Sequence, residues 1–176
     1  MQLIYVIYIY MIKFLYDFKQ NLKPLIYLFC TLCITHFASA DWNFFRGSAD
    51  MRGVAKTSLK LPLKLSWDAK IGRSVFATPV VSGGKVFIGN EEGRFVAMDI
   101  NDGKIIWEFM TDDIIEGTAC AVGKYVVFGA GDGYLYCLNK DTGKLNWKYE
   151  TDGEILGGVN LFKSCLLYTS DAADEP

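Results

Sequence analysis

Side chains able to do acid–base, nucleophilic or metal chemistry are scarce in this chain of 176 residues: one histidine, His36, five cysteines, and carboxylates scattered through turn-forming sequence. His36 lies inside an apolar N-terminal run. The rest of the chain therefore offers no imidazole for a Ser-His-Asp triad, a His-bound metal or a His general base. Cys120 and Cys137 are the remaining soft groups. The repeat frame described below puts them on the first and third strands of one sheet, about 9–10 Å apart across two strand spacings. That exceeds the ~7 Å Cα separation that a disulfide spans. They replace Val80 and Ala97 of the preceding repeat, so they are expected to be buried, inert and unbridged. Two cysteines with no histidine or third cysteine nearby do not make a zinc site. Asp99, Asp102 and Asp141 fall in turns, and turn formation accounts for them. No catalytic residue and no metal ligand is assigned.

The elements that would have to position any such group are set by a repeat. Trp67, Trp107 and Trp147 stand 40 residues apart, and Ile71–Met110 aligns with Thr111–Glu150 without a gap. The matches are Gly83/Gly123, Val86/Val126, Gly89/Gly129, Gly93/Gly133, Gly103/Gly143, Lys104/Lys144 and Trp107/Trp147, and Thr151-Asp152 then answers Thr111-Asp112. A strict repeat of this length means a stacked array, either of helical pairs or of four-stranded propeller blades. Short β-branched and aromatic runs broken by Gly, Asn and Asp select blades and leave no room for a ten-residue helix.

Each unit predicts strands near Val75–Val81, Lys85–Ile88, Phe95–Asp99 and Ile105–Phe109, with turns at Ser82–Gly84, Asn90–Gly93 and Asn101–Gly103. Phe95-Val96-Ala97-Met98 is apolar on both alternating faces, as expected of a sheet between two others. The fold class is thus all-β: part of a β-propeller of four-stranded antiparallel blades, with about two blades present. A stray strand around Leu63–Trp67 precedes them, and the first strand of another blade follows near Ile155–Leu161. One tryptophan per blade at fixed register suits blade-to-blade packing. Trp67, Trp107 and Trp147, with Gly89, Gly129, Gly93, Gly133, Gly103 and Gly143, are therefore read as structural positions of the repeat. Trp107 and Trp147 are expected in matching, largely buried seats.

The composition, 51% hydrophobic and 22% charged with 4 prolines, describes a packed globular chain and not a disordered one. Residues 71–164 carry 13 acidic and 9 basic side chains. No basic field exists to hold phosphates, and nucleic acid is not expected as a partner. Glu91-Glu92 and Asp112-Asp113 are read as solvated loop tips.

Residues 1–40 read as a signal peptide: Lys19 and Lys23 precede the apolar run Leu25–Phe37, and Ala38-Ser39-Ala40 supplies the small-x-small site before Asp41. Met11 is an alternative start. The run is shorter than the ~20 residues of a spanning helix, and an uncleaved anchor is the second reading, the one way this chain would meet a membrane. The expected location is periplasmic or extracellular, in a bacterium. Residues 41–62 are a lead-in and residues 63–164 the repeats. Cys165–Glu175 resembles the translation of a transposon adapter used for sequencing libraries. Residues 165–176 are accordingly expected to be non-native, with the natural chain continuing past Ser164. The other reading is a real strand at Cys165–Tyr168, where the frame places the second strand of the next blade.

Ala97–Phe109 (AMDINDGKIIWEF) and Cys137–Tyr149 (CLNKDTGKLNWKY) resemble the tryptophan-docking repeat of pyrroloquinoline-quinone (PQQ)-like β-propellers in their Ala-x-Asp, Gly-Lys and Trp positions. The lead-in motifs Trp42-Asn-Phe-Phe-Arg-Gly47 and Arg52-Gly-Val-Ala55 resemble those of exported members, so the likeness runs from Trp42 to about Lys163. WD40 repeats share the period, but Glu108 and Lys148 follow two of the tryptophans and no Gly-His pair occurs. The resemblance implies a ring of eight blades, with Trp107 and Trp147 as ties between blades. It also implies two functional branches. One is a BamB-like scaffold with protein partners on its loop faces and no cofactor. The alternative is a quinoprotein dehydrogenase holding PQQ and calcium over the axis, whose ligand set is not visible here as a motif.

Overall fold

The computed structural model describes residues 41–55, 58, 60–163 and 165–168. All of them belong to one compact unit, Ser39–Pro176. The signal segment, with Ala38 and Ala40, lies outside the described residues. No helix among those described is long and apolar enough to cross a membrane.

Two antiparallel four-stranded sheets follow the repeat. Blade 1 contains β1 (Val80–Ser82), β2 (Lys85–Gly89), β3 (Arg94–Asp99) and β4 (Ile105–Met110). Blade 2 contains β5 (Cys120–Val122), β6 (Tyr125–Gly129), β7 (Tyr134–Asn139) and β8 (Leu145–Glu150). In each sheet the spatial order is the chain order, because consecutive strands are joined by tight turns. Register repeats as well: Val80 faces Phe87 as Cys120 faces Val127, and Ala97 faces Trp107 as Cys137 faces Trp147. Even the irregularity recurs, with a register shift after Ala97 in one sheet and after Cys137 in the other.

The sheets stack face to face. Val96 and Ala97 of β3 and Leu135 through Leu138 of β7 are buried on both faces, which is the pattern the sequence predicts for sandwiched strands. The core between the blades joins Phe87, Phe95 and Ala97 of blade 1 to Val126, Phe128, Tyr136 and Leu138 of blade 2. Phe95 and Phe128 stack across the joint at 3.9 Å, and Phe128 continues onto Tyr136 at 5.5 Å. Such aromatic pairs add about 0.5–1.5 kcal/mol each beyond the area they bury.

Three expectations about strand limits need correction. The first strand of blade 1 is Val80–Ser82, not Val75–Val81, and that of blade 2 is Cys120–Val122: the stretch before each is an irregular link outside the sheet ladder. Leu63–Trp67 is not a strand: none of its residues joins a ladder among the described residues. Its Leu63 and Leu65 side chains are exposed. The third blade opens with β9 at Asn160–Phe162, later than Ile155–Leu161, since Ile155 to Val159 form the next link. β9 pairs with β10 (Cys165–Leu167), so this part of the tail stands where the frame puts a second strand. Leu166 and Leu167 suit a strand whatever their origin.

Candidate functional site

The repeated tryptophan makes the joint between sheets. Trp67 donates its indole N–H to the Ile100 carbonyl at 2.8 Å, and Trp107 donates to the Lys140 carbonyl at 3.1 Å. Each ring lies on the glycine that closes the β3–β4 type turn of the next sheet. A Cβ on Gly103 would come within 2.5 Å of the Trp67 ring, and one on Gly143 within 2.7 Å of the Trp107 ring. Both glycines also hold positive φ, 71° and 69°, where L side chains are strained. Sterics and backbone thus demand glycine independently. On its inner side Trp107 meets the rings of Phe87 and Phe95 at 5.8 and 6.1 Å.

Trp147 differs from the expectation. It is 37% exposed, and no glycine among the described residues seats its ring. The matched pair in space is Trp67 and Trp107, not Trp107 and Trp147.

The other repeat glycines sit at the same joints. Gly89 and Gly129 end the second strands against Ile115 and Ile155 of the following link, with no space for a side chain. Gly93 and Gly133 accept the Thr111 and Thr151 amides at 2.9 and 2.8 Å, and each threonine hydroxyl is within 2.9 and 2.7 Å of the same carbonyls. Inter-blade backbone bonds then fix the links: Ile115 donates to the Asn90 carbonyl at 2.9 Å and Ile155 to that of Ala130 at 3.1 Å.

Several of these residues carry a signal that the sequence reading passed over. Ile115 and Ile155 are fully buried and share the 40-residue spacing. So do Gly117 and Gly157, whose backbones approach so closely that a Cβ on Gly117 would strike the Gly157 carbonyl. Asn90 has no repeat mate, since Ala130 stands in its place. It is fully buried, donates from Nδ2 to the Ile71 carbonyl at 2.8 Å, and accepts the Glu92 and Arg94 amides at 3.0 and 2.9 Å. No periodic argument could find a residue defined by its departure from the period.

The titratable groups are structural in their surroundings. Cys120 and Cys137 are buried, free thiols on β5 and β7, separated by β6. Burial pushes the Cys120 thiol up to about 12 and raises that of Cys137, so both stay protonated and unreactive near neutrality. Burial, and then its 2.6 Å bond to the Asp132 carboxylate, raises the Tyr136 hydroxyl. Asp132 also accepts the Tyr134 and Asp112 amides at 3.1 and 3.2 Å, and Asp113 accepts the Ile114 amide at 2.7 Å. Asp99 accepts the Asn101 amide, Asp102 the Lys104 amide, and Asp141 pairs with Lys85 at 2.7 Å. Among the described residues no three His, Cys, Asp or Glu side chains stand close enough to hold a metal.

What this arrangement offers is a rigid edge. The β2–β3 and β6–β7 turns and the links beside them are fixed by backbone bonds, while Glu92, Asp112, Asp113, Asp152 and Glu154 project into solvent.

Comparison with known proteins agrees with this geometry. The family model described as outer membrane protein assembly factor BamB matches residues 63–154, just over half of the chain. Among solved structures, BamB from Moraxella catarrhalis is similar at a TM-score of 0.54 and 23% identity, over 60% of this chain and 37% of that one. A quinohemoprotein alcohol dehydrogenase from Comamonas testosteroni is similar at 0.61 and 23% identity, over 70% of this chain and 22% of that one. A europium-containing methanol dehydrogenase reaches 0.63 at 17% identity, over 74% of this chain and 28% of that one. The beta-alanine-activating enzyme of Homo sapiens is 35% identical over 68 residues, which is 35% of this chain and 6% of the enzyme. The chain thus spans a minor part of each of these proteins. With its matched family model, its repeated blades and its docked tryptophans, the chain belongs to the PQQ-like β-propeller repeat family.

Proposed function

We propose that this chain is part of an exported, non-catalytic propeller that serves as a scaffold for other proteins of the cell envelope. The observation that carries this reading is the fixed loop edge. Turns 90–93 and 130–133 are tied by main-chain bonds to the neighbouring links, so the backbone that carries their polar side chains is already ordered. The family match to an outer membrane assembly factor and the small-x-small site ending at Ala40 support the same reading.

The alternative is a piece of a quinoprotein dehydrogenase. The described residues do not fit a quinone or calcium set. No three of their His, Cys, Asp or Glu side chains stand together, and the Asp132 carboxylate is taken up by the Asp112 and Tyr134 amides and the Tyr136 hydroxyl. That alternative needs residues outside those described.

Photo-crosslinkers placed at Glu92, Asp112 and Lys144 of the full-length protein in its own cells test the proposal. A discrete envelope protein captured from Glu92 and Asp112 but not from Lys144 is expected. Dye-linked alcohol or sugar oxidation after addition of PQQ and calcium would overturn it in favour of the dehydrogenase.

A further inference from the structure

The lead-in does not simply precede the blades. Its first residues run across their inner edges. Trp42 and Val81 of β1 exchange both backbone bonds, at 2.8 and 2.9 Å, and the Asp41 carboxylate accepts the Gly83 amide at 3.2 Å. The next residue crosses to blade 2, where the Asn43 carbonyl accepts the Ala121 amide of β5 at 2.8 Å. Phe44 packs into the cluster of Cys120, Val127, Ile155 and Val159. The segment then turns back on itself: Gly47 donates to the Phe44 carbonyl at 2.9 Å, and its Cα lies under the Trp42 ring, which a Cβ there would meet at 2.7 Å. Finally Asn160 of β9 donates from Nδ2 to the Ala49 carbonyl at 3.3 Å.

Val81, Ala121 and Leu161 occupy one repeat position, the middle of the first strand of each blade. That strand is the edge of its sheet, and β1 and β5 lie close to each other. Their outward amides would be orphan donors on an open edge, a liability for strand addition. The three are satisfied in three ways: Val81 by the Trp42 carbonyl, Ala121 by the Asn43 carbonyl, and Leu161 by the Oδ1 of its own neighbour Asn160 at 2.8 Å. We propose that Asp41–Ala49 is an axial strap, which locks the inner strands of blades 1 and 2 in register and closes their inner edges to any other extended chain. Where the strap stops pairing, the Asn160 side chain takes over.

Amide hydrogen exchange on the full chain tests this. Trp42→Pro removes the donor to Val81 and the ring that lies on Gly47. Gly47→Ala is the milder variant, which keeps the donor and removes only the seat. Val81 and Ala121 should exchange about tenfold faster in Trp42→Pro, as expected when a backbone bond of the strap is lost locally, and also faster in Gly47→Ala, where the ring that anchors the strap is displaced. Leu161, served by Asn160, and Gly143, at the Trp107 joint, should keep their rates. Trp42→Phe should restore protection. Unchanged rates at Val81 and Ala121 would overturn the strap, and so would an equal acceleration of all four amides, which would show general loosening.

Discussion

At the joint between blades 1 and 2, Trp107 rests on Gly143, donates to the Lys140 carbonyl and closes over Phe87 and Phe95. On the far face of blade 2 the same residue type in the same register, Trp147, is 37% exposed, and every residue of β8 beside it is exposed too. The two indoles hold the same place in the repeat, on strands in the same register with their sheets. They differ in whether a turn glycine among the described residues receives them. A docking tryptophan is therefore half of a contact, and its energetic worth belongs to the pair.

The largest test of that comparison is to remove each ring. Trp107→Ala should destabilise the chain by about 3–5 kcal/mol, the range for deleting a packed aromatic side chain. Trp147→Ala should cost less than about 1 kcal/mol, as for surface positions. Urea midpoints at constant slope measure both, and equal losses would show that the ring contributes within its own blade instead of across the joint.

A smaller effect separates the seat from the ring. Gly143→Ala should cost about 2–3 kcal/mol, combining the strain of positive φ with the collision against Trp107. Gly123→Ala also sits at positive φ, 55°, but its Cβ would meet nothing within 4 Å, and about 1 kcal/mol is expected. If the two substitutions cost the same in thermal or urea unfolding, the indole seat has no steric component. In the combination with Trp107→Ala, Gly143→Ala should lose most of its excess cost, since the two are in contact.

The joint on the other side of blade 1 sharpens the picture further. There Trp67 docks as Trp107 does, but Asn90 adds buried bonds that Ala130 cannot make. Asn90→Ala copies the blade 2 residue into blade 1 and leaves the Arg94 amide and the Ile71 carbonyl short of a partner. The expected loss is about 1–3 kcal/mol. An effect near zero would mean that the Arg94 guanidinium, already 3.3 Å from the Ile71 carbonyl, takes over.

Blade architecture was legible in the sequence because each repeated residue answers a repeated demand. Gly103 and Gly143 report a turn under a ring, and alternating faces in Phe95–Met98 report a sheet with neighbours on both sides. The first strands were overextended because Val75–Pro79 has strand composition yet lies outside the ladder, as an irregular lead into β1. Leu63–Trp67 was read as a strand for the same reason, and propensity without a partner makes no ladder. Asn90 and the strap at Trp42–Asn43 lay beyond any periodic reading, as neither has a copy elsewhere in the chain. Both became visible only through the partners of particular amides and carbonyls. The rigid loop edge was legible only as turns, because its rigidity comes from backbone bonds between a turn and a link, such as Ile115 to Asn90 and Gly131 to Ile114.

The close approach of Gly117 to Gly157 sets the geometry of the arch. At that narrow end the links before successive first strands touch main chain to main chain, with Val159 also donating to the Thr118 carbonyl at 2.9 Å. At the wide end of the joint before it, between blades 1 and 2, the Trp107 indole stands between the sheets. The difference between those two spacings, taken over the width of one sheet, is the angle of the wedge, and the angle determines how many wedges complete a circle. A methyl group at residue 117 would push the narrow end apart and leave the wide end unchanged. The blades would then stand closer to parallel, and a ring built from them would need more members to close.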